Sequence, residues 1–442
     1  MSDERQLSLV GSVSLGTGVM VGAGIFALVG QVAELAGPRV PEAFLLGAVV
    51  TAFAAYAYAR YSAANPTSGG IAMLLKAAYG PGFVAGSFSL FMYVSMVIAQ
   101  SLLARTFGTY LLQPWGLQDS AVLVPALGVS LIAVAAVINV KGIGFVEGSA
   151  ATSAAIKVVG LAVLAVAGLA AAGWSSVATA LLPAAGTDDG TGAGWFGLAA
   201  ATTLCVLAYK GFTTITNQGD DLRDAERQLP RSILWSIVAC AVVYLLLTVA
   251  VTAALTPAEI ADARDYAIAA AAEPLLGVWG VRLTIGLAVV ATFSGLLASI
   301  YAVSRLYSML HSMGQVPLLP VSVHRQPVLL TAGLAMLTTV FFDLTQMASM
   351  GAILYLTMDV AVQWGVLRRL AADIGAKRWI PAVAIVLDVV VLAAFVVLKL
   401  QREPATIVAG VGVAVVVLAS QALVVRRRRA HEDEGGAAGH GA

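Results

Sequence analysis

The sequence predicts an all-α membrane protein of about twelve transmembrane helices, on three observations. Hydrophobic residues make up 60% of the 442-residue chain and charged residues 11%, against about a quarter charged in an ordinary soluble domain. Apolar runs recur along the chain, each long enough for a helix rising about 1.5 Å per residue to cross a hydrocarbon core about 30 Å thick. The lysines and arginines gather in alternate connections between those runs.

Taken in order, the spans fall at 8–36, 41–64, 83–112, 120–139, 147–173, 194–217, 232–255, 280–310, 327–343, 346–367, 379–400 and 404–425. Gly37-Pro38-Arg39 breaks the chain between the first two spans, and the run from Asn65 and Pro66 to Gly69 and Gly70 breaks it between the second and third. The stretch 69–78 reads as a short surface helix. The opening Met1-Ser2-Asp3-Glu4-Arg5 is short and acidic and the first apolar run is long, so the first span is expected to stay rather than be cleaved as a signal peptide. One transmembrane domain is expected over 1–425. The tail at 426–442, led by Arg426 to Arg429, has too little apolar surface to fold and is expected to be disordered.

With the N-terminus placed in the cytoplasm, seventeen Lys and Arg residues fall inside: Arg5, Arg60, Lys76, Lys141, Arg223, Arg227, Arg231, Arg305, Arg325, Arg368, Arg369, Lys377, Arg378 and Arg426 to Arg429. Five fall outside, namely Arg39, Arg264, Arg282, Lys399 and Arg402, and Arg105, Lys157 and Lys210 lie within spans. Cytoplasmic loops carry the positive excess, so both termini are expected in the cytoplasm of a multi-pass plasma-membrane protein.

Composition also excludes classes. A net charge of +1 gives no reason to expect nucleic acid as a partner. Cys205 and Cys240 lie in apolar spans and read as small buried hydrophobes. His311, His324, His431 and His440 have no ligand-like spacing. Neither a metal, nor an organic cofactor, nor an enzymatic constellation is expected.

Two spans break the rules of a membrane helix. Gly16, Gly18, Gly22, Gly24 and Gly30 punctuate the first, each costing about 1 kcal/mol relative to alanine in a helix interior. A break at membrane depth survives where protein buries it or where it lines a polar cavity, so Val21-Gly22-Ala23-Gly24-Ile25-Phe26 reads as a site; close packing of two helices is the alternative. The sixth span carries Tyr209-Lys210-Gly211-Phe212, and a second break is expected there. Lys157 sits about ten residues into the fifth span, roughly 15 Å deep, where a lysine costs about 2.5–3.5 kcal/mol. A lysine at that depth marks a functional group or a permanent pair. Desolvation favours the neutral amine, so Lys157 is expected to load and release a proton.

Two interrupted helices, one opening in the cytoplasm and one outside, fit two five-span halves of opposite topology, 8–173 and 194–367, followed by two further helices over 379–425. The positive end of one half-helix can receive a carboxylate, and exposed carbonyls of the other an ammonium. Together they describe the recognition of a zwitterion.

These residues resemble the amino acid–polyamine–organocation permeases, which adopt the leucine-transporter fold. Gly22-Ala23-Gly24-Ile25-Phe26 matches the family's first-span pattern. The run from Ala208 and Tyr209 to Leu229-Pro230-Arg231 resembles its sixth span and following loop, and the run from Ala298 to Pro317 its eighth. The resemblance implies that Gly22, Ala23, Gly24 and Ile25 receive the substrate carboxylate, while Leu207, Ala208 and Tyr209 face its amine. It implies further that the Lys157 ammonium stands where sodium-coupled relatives hold an ion, near the eighth span and Ser299, so that a proton is the coupling ion. Two departures stand out: Gly219-Asp220-Asp221 replaces an expected glutamate pair, and Lys210 occupies a position often small, polar or acidic. The implied function is proton-coupled amino acid symport by alternating access; a fixed Lys210 charge beside the substrate is expected to favour neutral over cationic amino acids. An exchanger, a polyamine permease of the same fold, and a membrane sensor that binds without transport are the competing readings.

Overall fold

A computed structural model describes residues 8–67, 69–141, 144–181, 194–219, 221–222, 224–316 and 325–439. The first span is split into α1 (Leu9–Ala23) and α2 (Ile25–Ala36). It is followed by α3 (Val40–Ala64), the short α4 (Gly70–Tyr79), α5 (Phe83–Leu112), α6 (Leu123–Lys141), α7 (Gly144–Ala172) and α8 (Trp174–Leu181). The second half opens with α9 (Gly194–Tyr209), which tightens into a 3₁₀ helix over Lys210–Asn217. After it come α10 (Ala225–Ala254), α11 (Pro257–Asp262), α12 (Ala267–Ser312), α13 (Gln326–Phe341), α14 (Leu344–Gly365), α15 (Trp379–Arg402) and α16 (Pro404–Gly439). The described residues are helical with no strand, an all-α membrane architecture.

Among the described residues, ten helices are long and apolar enough to cross a membrane. The difference from twelve lies in two places: the first span is divided into halves of 15 and 12 residues, and α13 has 16 residues. Apolar side chains cover the outside as well as the core. On α7, Ile156, Val159, Val163 and Val166 are all at least half exposed and recur at three- and four-residue spacing along one face. A face of that kind is built for hydrocarbon, not water.

The two halves of the chain are interlaced. α1 packs on the 3₁₀ segment Lys210–Asn217, α3 on α10, α5 on α12 and α6 on α13. α12 is two pieces, because Gly277 adopts φ 61°, a conformation that costs any residue with a Cβ, and Pro274 lies just before it. The membrane span therefore starts after Gly277, close to the expected residue 280.

Three expectations change. The helix over 70–79 is not a surface element: Ile71, Ala72, Leu74, Leu75 and Ala78 are buried, and α4 packs against α5, α14 and Lys210–Asn217. The last helix does not stop before Arg426 but continues to Gly439 where a disordered tail is expected, because the run of Arg, Ala and Glu is rich in strong helix formers. The charged connection after the sixth span is partly helical, since α10 begins at Ala225. Asp220 and Arg223 lie outside the described residues, as do the connection at 182–193 and Pro317.

Candidate functional site

The first break is narrower than the sequence predicts. Gly24 is the one interrupting residue, with φ −89° and ψ −62°, and its N–H still donates to the Met20 carbonyl at 2.9 Å. Gly22 and Ala23 therefore stay in α1, and Ile25, fully buried, begins α2. What the glycines supply is proximity. A Cβ on Gly24 would lie 2.8 Å from the Ala208 carbonyl oxygen, and one on Gly22 would lie 2.9 Å from that of Ala291 in α12. Thus both sequence readings hold in part: the span is interrupted, and its glycines pack α1 and α2 closely on α9 and α12.

The second break is wider. α9 ends at Tyr209, and the chain continues as 3₁₀ helix from Lys210 through Asn217. Tightening to i→i+3 hydrogen bonding leaves carbonyls that Thr213, Thr214 and Thr216 satisfy with their own hydroxyls, donated to Lys210, Gly211 and Thr213 at 2.7–2.9 Å. A threonine-rich segment at membrane depth is therefore self-satisfied without water.

Beside this segment lies a cavity of about 40 Å³, walled by Val19, Met96, Ala99, Leu102, Leu103, Leu207, Ala208, Lys210, Gly211, Thr213, Thr214 and Ser299. That is room for roughly three water molecules, too little for an amino acid. Leu207, Ala208 and Lys210, three of the site residues drawn from the sequence, stand in the wall, and Ser299 joins them. Gly22, Gly24 and Ile25 do not line it, and the Ala23 side chain lies outside the described residues; Val19, one turn earlier, does line it. Tyr209 does not line it either. It turns away, its ring tilted against that of Tyr244 at 5.1 Å between centroids, with its hydroxyl donating to the Phe44 carbonyl at 3.2 Å.

Lys210 is 5% exposed. Its Nζ donates to Ser95 Oγ at 2.6 Å and lies 5.2 Å from the centre of the Tyr355 ring. Ser95 in turn donates to the Gly351 carbonyl at 2.8 Å. Lys157, 2% exposed, donates from Nζ to the Gly18 carbonyl in α1 at 2.8 Å. The ion pairs formed among the described residues involve other groups, so neither lysine has a carboxylate partner there. Lys157 thus ties α7 to α1, while α7 meets α12 through Gly160 and Leu287. The link to Ser299 implied by the resemblance has no hydrogen bond behind it; Ser299 belongs to the cavity wall.

Contacts close the bundle at both ends. Along α2, the Tyr110 hydroxyl donates to the Phe26 carbonyl at 3.4 Å, Gly30 packs against the Arg264 backbone, and near its end Glu34 pairs with Arg264 at 3.1 Å. Where α1 starts, Ser12 Oγ donates to Gln218 Oε1 at 2.6 Å and Gly16 packs against Ile215. Ser95, Met96 and Tyr355 are absent from the sequence-derived site. Ser95 is one polar residue among many in α5, and only the packing of α5 and α14 around Lys210 distinguishes it.

The chain matches the amino acid permease family over residues 7–423. Among similar proteins, the inner membrane transport protein YbaT of Escherichia coli is 31% identical over 89% of this chain and 90% of its own length. The branched-chain amino acid permease BcaP of Lactococcus lactis is 30% identical over 53% of each chain. The vacuolar cationic amino acid transporter 4 of Arabidopsis thaliana is 26% identical over 84% of this chain and 64% of its own. With a family match over nearly its whole length and an all-α architecture interrupted at the two expected spans, the chain belongs to the amino acid permeases of the amino acid–polyamine–organocation superfamily.

Proposed function

We propose that this permease imports neutral amino acids together with protons by alternating access. The observation that carries the substrate class is the cavity wall: apolar side chains from α1, α5 and α9 surround one cation, Lys210, with no acidic residue among them. An apolar side chain suits such a wall, and a second positive charge does not. A branched-chain permease among the relatives is consistent with this, although another relative is named for cationic amino acids. The substrate enters by parting Gly24 from Ala208, which frees backbone groups of residues 22–25 for the carboxylate and of residues 207–209 for the amine. The contacts of α1 with Lys210–Asn217, α3 with α10, α5 with α12 and α6 with α13 relate four of the five spans of one half to their counterparts five spans later. That pattern supports two inverted repeats within twelve spans.

Uptake of labelled leucine, valine and arginine into protein-containing liposomes with an acidic exterior tests the reading. Leucine or valine is expected to accumulate and to stop accumulating when a protonophore collapses the gradient. Accumulation that ignores the gradient but requires amino acid inside would assign exchange instead, and binding without any uptake would assign a sensor.

The orientation rests on the seventeen-to-five asymmetry of Lys and Arg between the two sets of connections. In sealed cells, an impermeant thiol reagent is expected to label a cysteine introduced at Gly186 and to spare one introduced at Arg227. The reverse pattern would invert the topology and move both termini out of the cytoplasm.

A further inference from the structure

The substrate cavity and Lys157 leave one buried titratable cluster unused. Asp359 in α14 is 1% exposed and Asp388 in α15 is 0% exposed, α14 packs on α15, and the two side-chain carboxyl groups are near enough to act on each other. Asp359 is well supplied with donors. The Tyr58 hydroxyl of α3 donates to its Oδ1, and Gln363 Nε2 lies 3.4 Å from its Oδ2 while donating to the Ala54 carbonyl at 2.9 Å. Asp388 has none: neither of its oxygens has a partner if both groups are bare carboxylates. Two oxygens in contact make a hydrogen bond only when one of them carries a hydrogen.

The surroundings supply no substitute for that hydrogen. Tyr58 faces the pair from α3 and Tyr355 from α14. Arg60 donates to the Ile374 and Gly375 carbonyls, Arg369 to that of Ala78, and Arg368 covers the Trp364 ring. On α9, Cys205 packs against Gly47 and Tyr209 turns to Tyr244. The membrane portion of α16 has no titratable side chain before Arg426. Among the described residues no cation lies within ion-pair distance of either aspartate. Two adjacent carboxylates in such a place do not both ionise.

We propose that Asp359 and Asp388 hold one exchangeable proton between them, making a proton-binding site in the α3, α14 and α15 packing that is separate from Lys157 and outside the substrate cavity. Asp388, lacking other donors, carries the hydrogen and donates it to Asp359, which keeps the negative charge and accepts from Tyr58 and Gln363. That charge acts on Tyr355, and the Lys210 ammonium is over the ring of the same residue. One proton leaves a single negative charge opposite a single positive one. None or two would leave the buried charges unbalanced.

Infrared difference spectra of the purified full chain in lipid nanodiscs, recorded between about pH 7 and pH 10, test this directly, because ordinary surface carboxyls are ionised throughout that range. The unmodified protein is expected to show a protonated-carboxyl C=O band near neutrality that moves when the aspartates are labelled with ¹³C at the side-chain carbonyl. Asp388→Asn is expected to remove it, since the amide supplies the missing donor without a titratable proton. The double variant Asp359→Asn, Asp388→Asn covers a failure of the single replacement to fold. Absence of the band from the unmodified protein, a band insensitive to aspartate labelling, or its full retention in either variant would overturn the proposal. The measurement needs neither substrate nor transport, so it stands or falls apart from the proposed symport.

Discussion

Replacing Lys157 with methionine is expected to abolish acid-stimulated uptake while leaving substrate binding measurable. Methionine fills nearly the same volume in the gap between α7 and α1 but cannot make the 2.8 Å bond to the Gly18 carbonyl. A hydrogen bond from a charged group contributes about 1.5–3 kcal/mol, so its loss corresponds to roughly a tenfold to hundredfold change in how firmly α1 is held. α1 is also the helix that closes one end of the bundle, through Ser12 with Gln218 and Gly16 with Ile215. Proton release from Lys157 would remove the positive charge from this tie, and proton loading would restore it. The result to be read is the pH profile of uptake in liposomes: flat in the variant and rising with external acidity in the unmodified protein. A variant with normal uptake and an unchanged profile would make the lysine purely structural and would remove the basis for assigning coupling to it.

The features that composition and chain logic control were legible in advance. Long apolar runs give the spans, because lipid demands internally satisfied backbone and allows little else. Lys157 and Lys210 announce themselves because charge at that depth is costly. The direction in which a residue faces was not legible. Tyr209 neighbours two cavity residues in sequence, yet a helix turns about 100° per residue and carries its ring toward Tyr244 and Phe44 instead. Gly-x-Gly likewise marks two different needs with one signature. At Gly24 the glycine both interrupts the helix and admits the Ala208 backbone, and sequence offers no way to weigh one against the other. Asp359 was visible as an acidic residue in an apolar span, and by topology alone it looks like a partner for Lys210. The structure gives it Tyr58 and Asp388 as neighbours, because α3 and α15 pack on α14. Partners that lie hundreds of residues apart are decided by helix packing, which periodicity does not encode.

That separation of Asp359 from Lys210 sharpens the expected behaviour of Lys210→Met. If the two formed a direct pair, removing the lysine would strand a carboxylate and the fold would collapse, to be rescued by Asp359→Asn. Lys210 instead donates to Ser95 and lies over the Tyr355 ring, so methionine leaves Asp359 with its own donors and Ser95 with its bond to the Gly351 carbonyl. The variant is therefore expected to fold. Its altered property is the field in the cavity: two unit charges about 6 Å apart at an effective dielectric of 20 repel by roughly 3 kcal/mol, a factor of about one hundred in binding. Arginine and lysine uptake should rise toward that limit in Lys210→Met, while uptake of leucine or valine, which carry no side-chain charge, should change much less. Competition of unlabelled arginine against labelled leucine, compared between the two proteins in liposomes, reads the difference without depending on absolute activity. Efficient arginine uptake by the unmodified protein would refute exclusion by the Lys210 charge, and specificity would then rest on the shape of the cavity once Gly24 and Ala208 have moved apart.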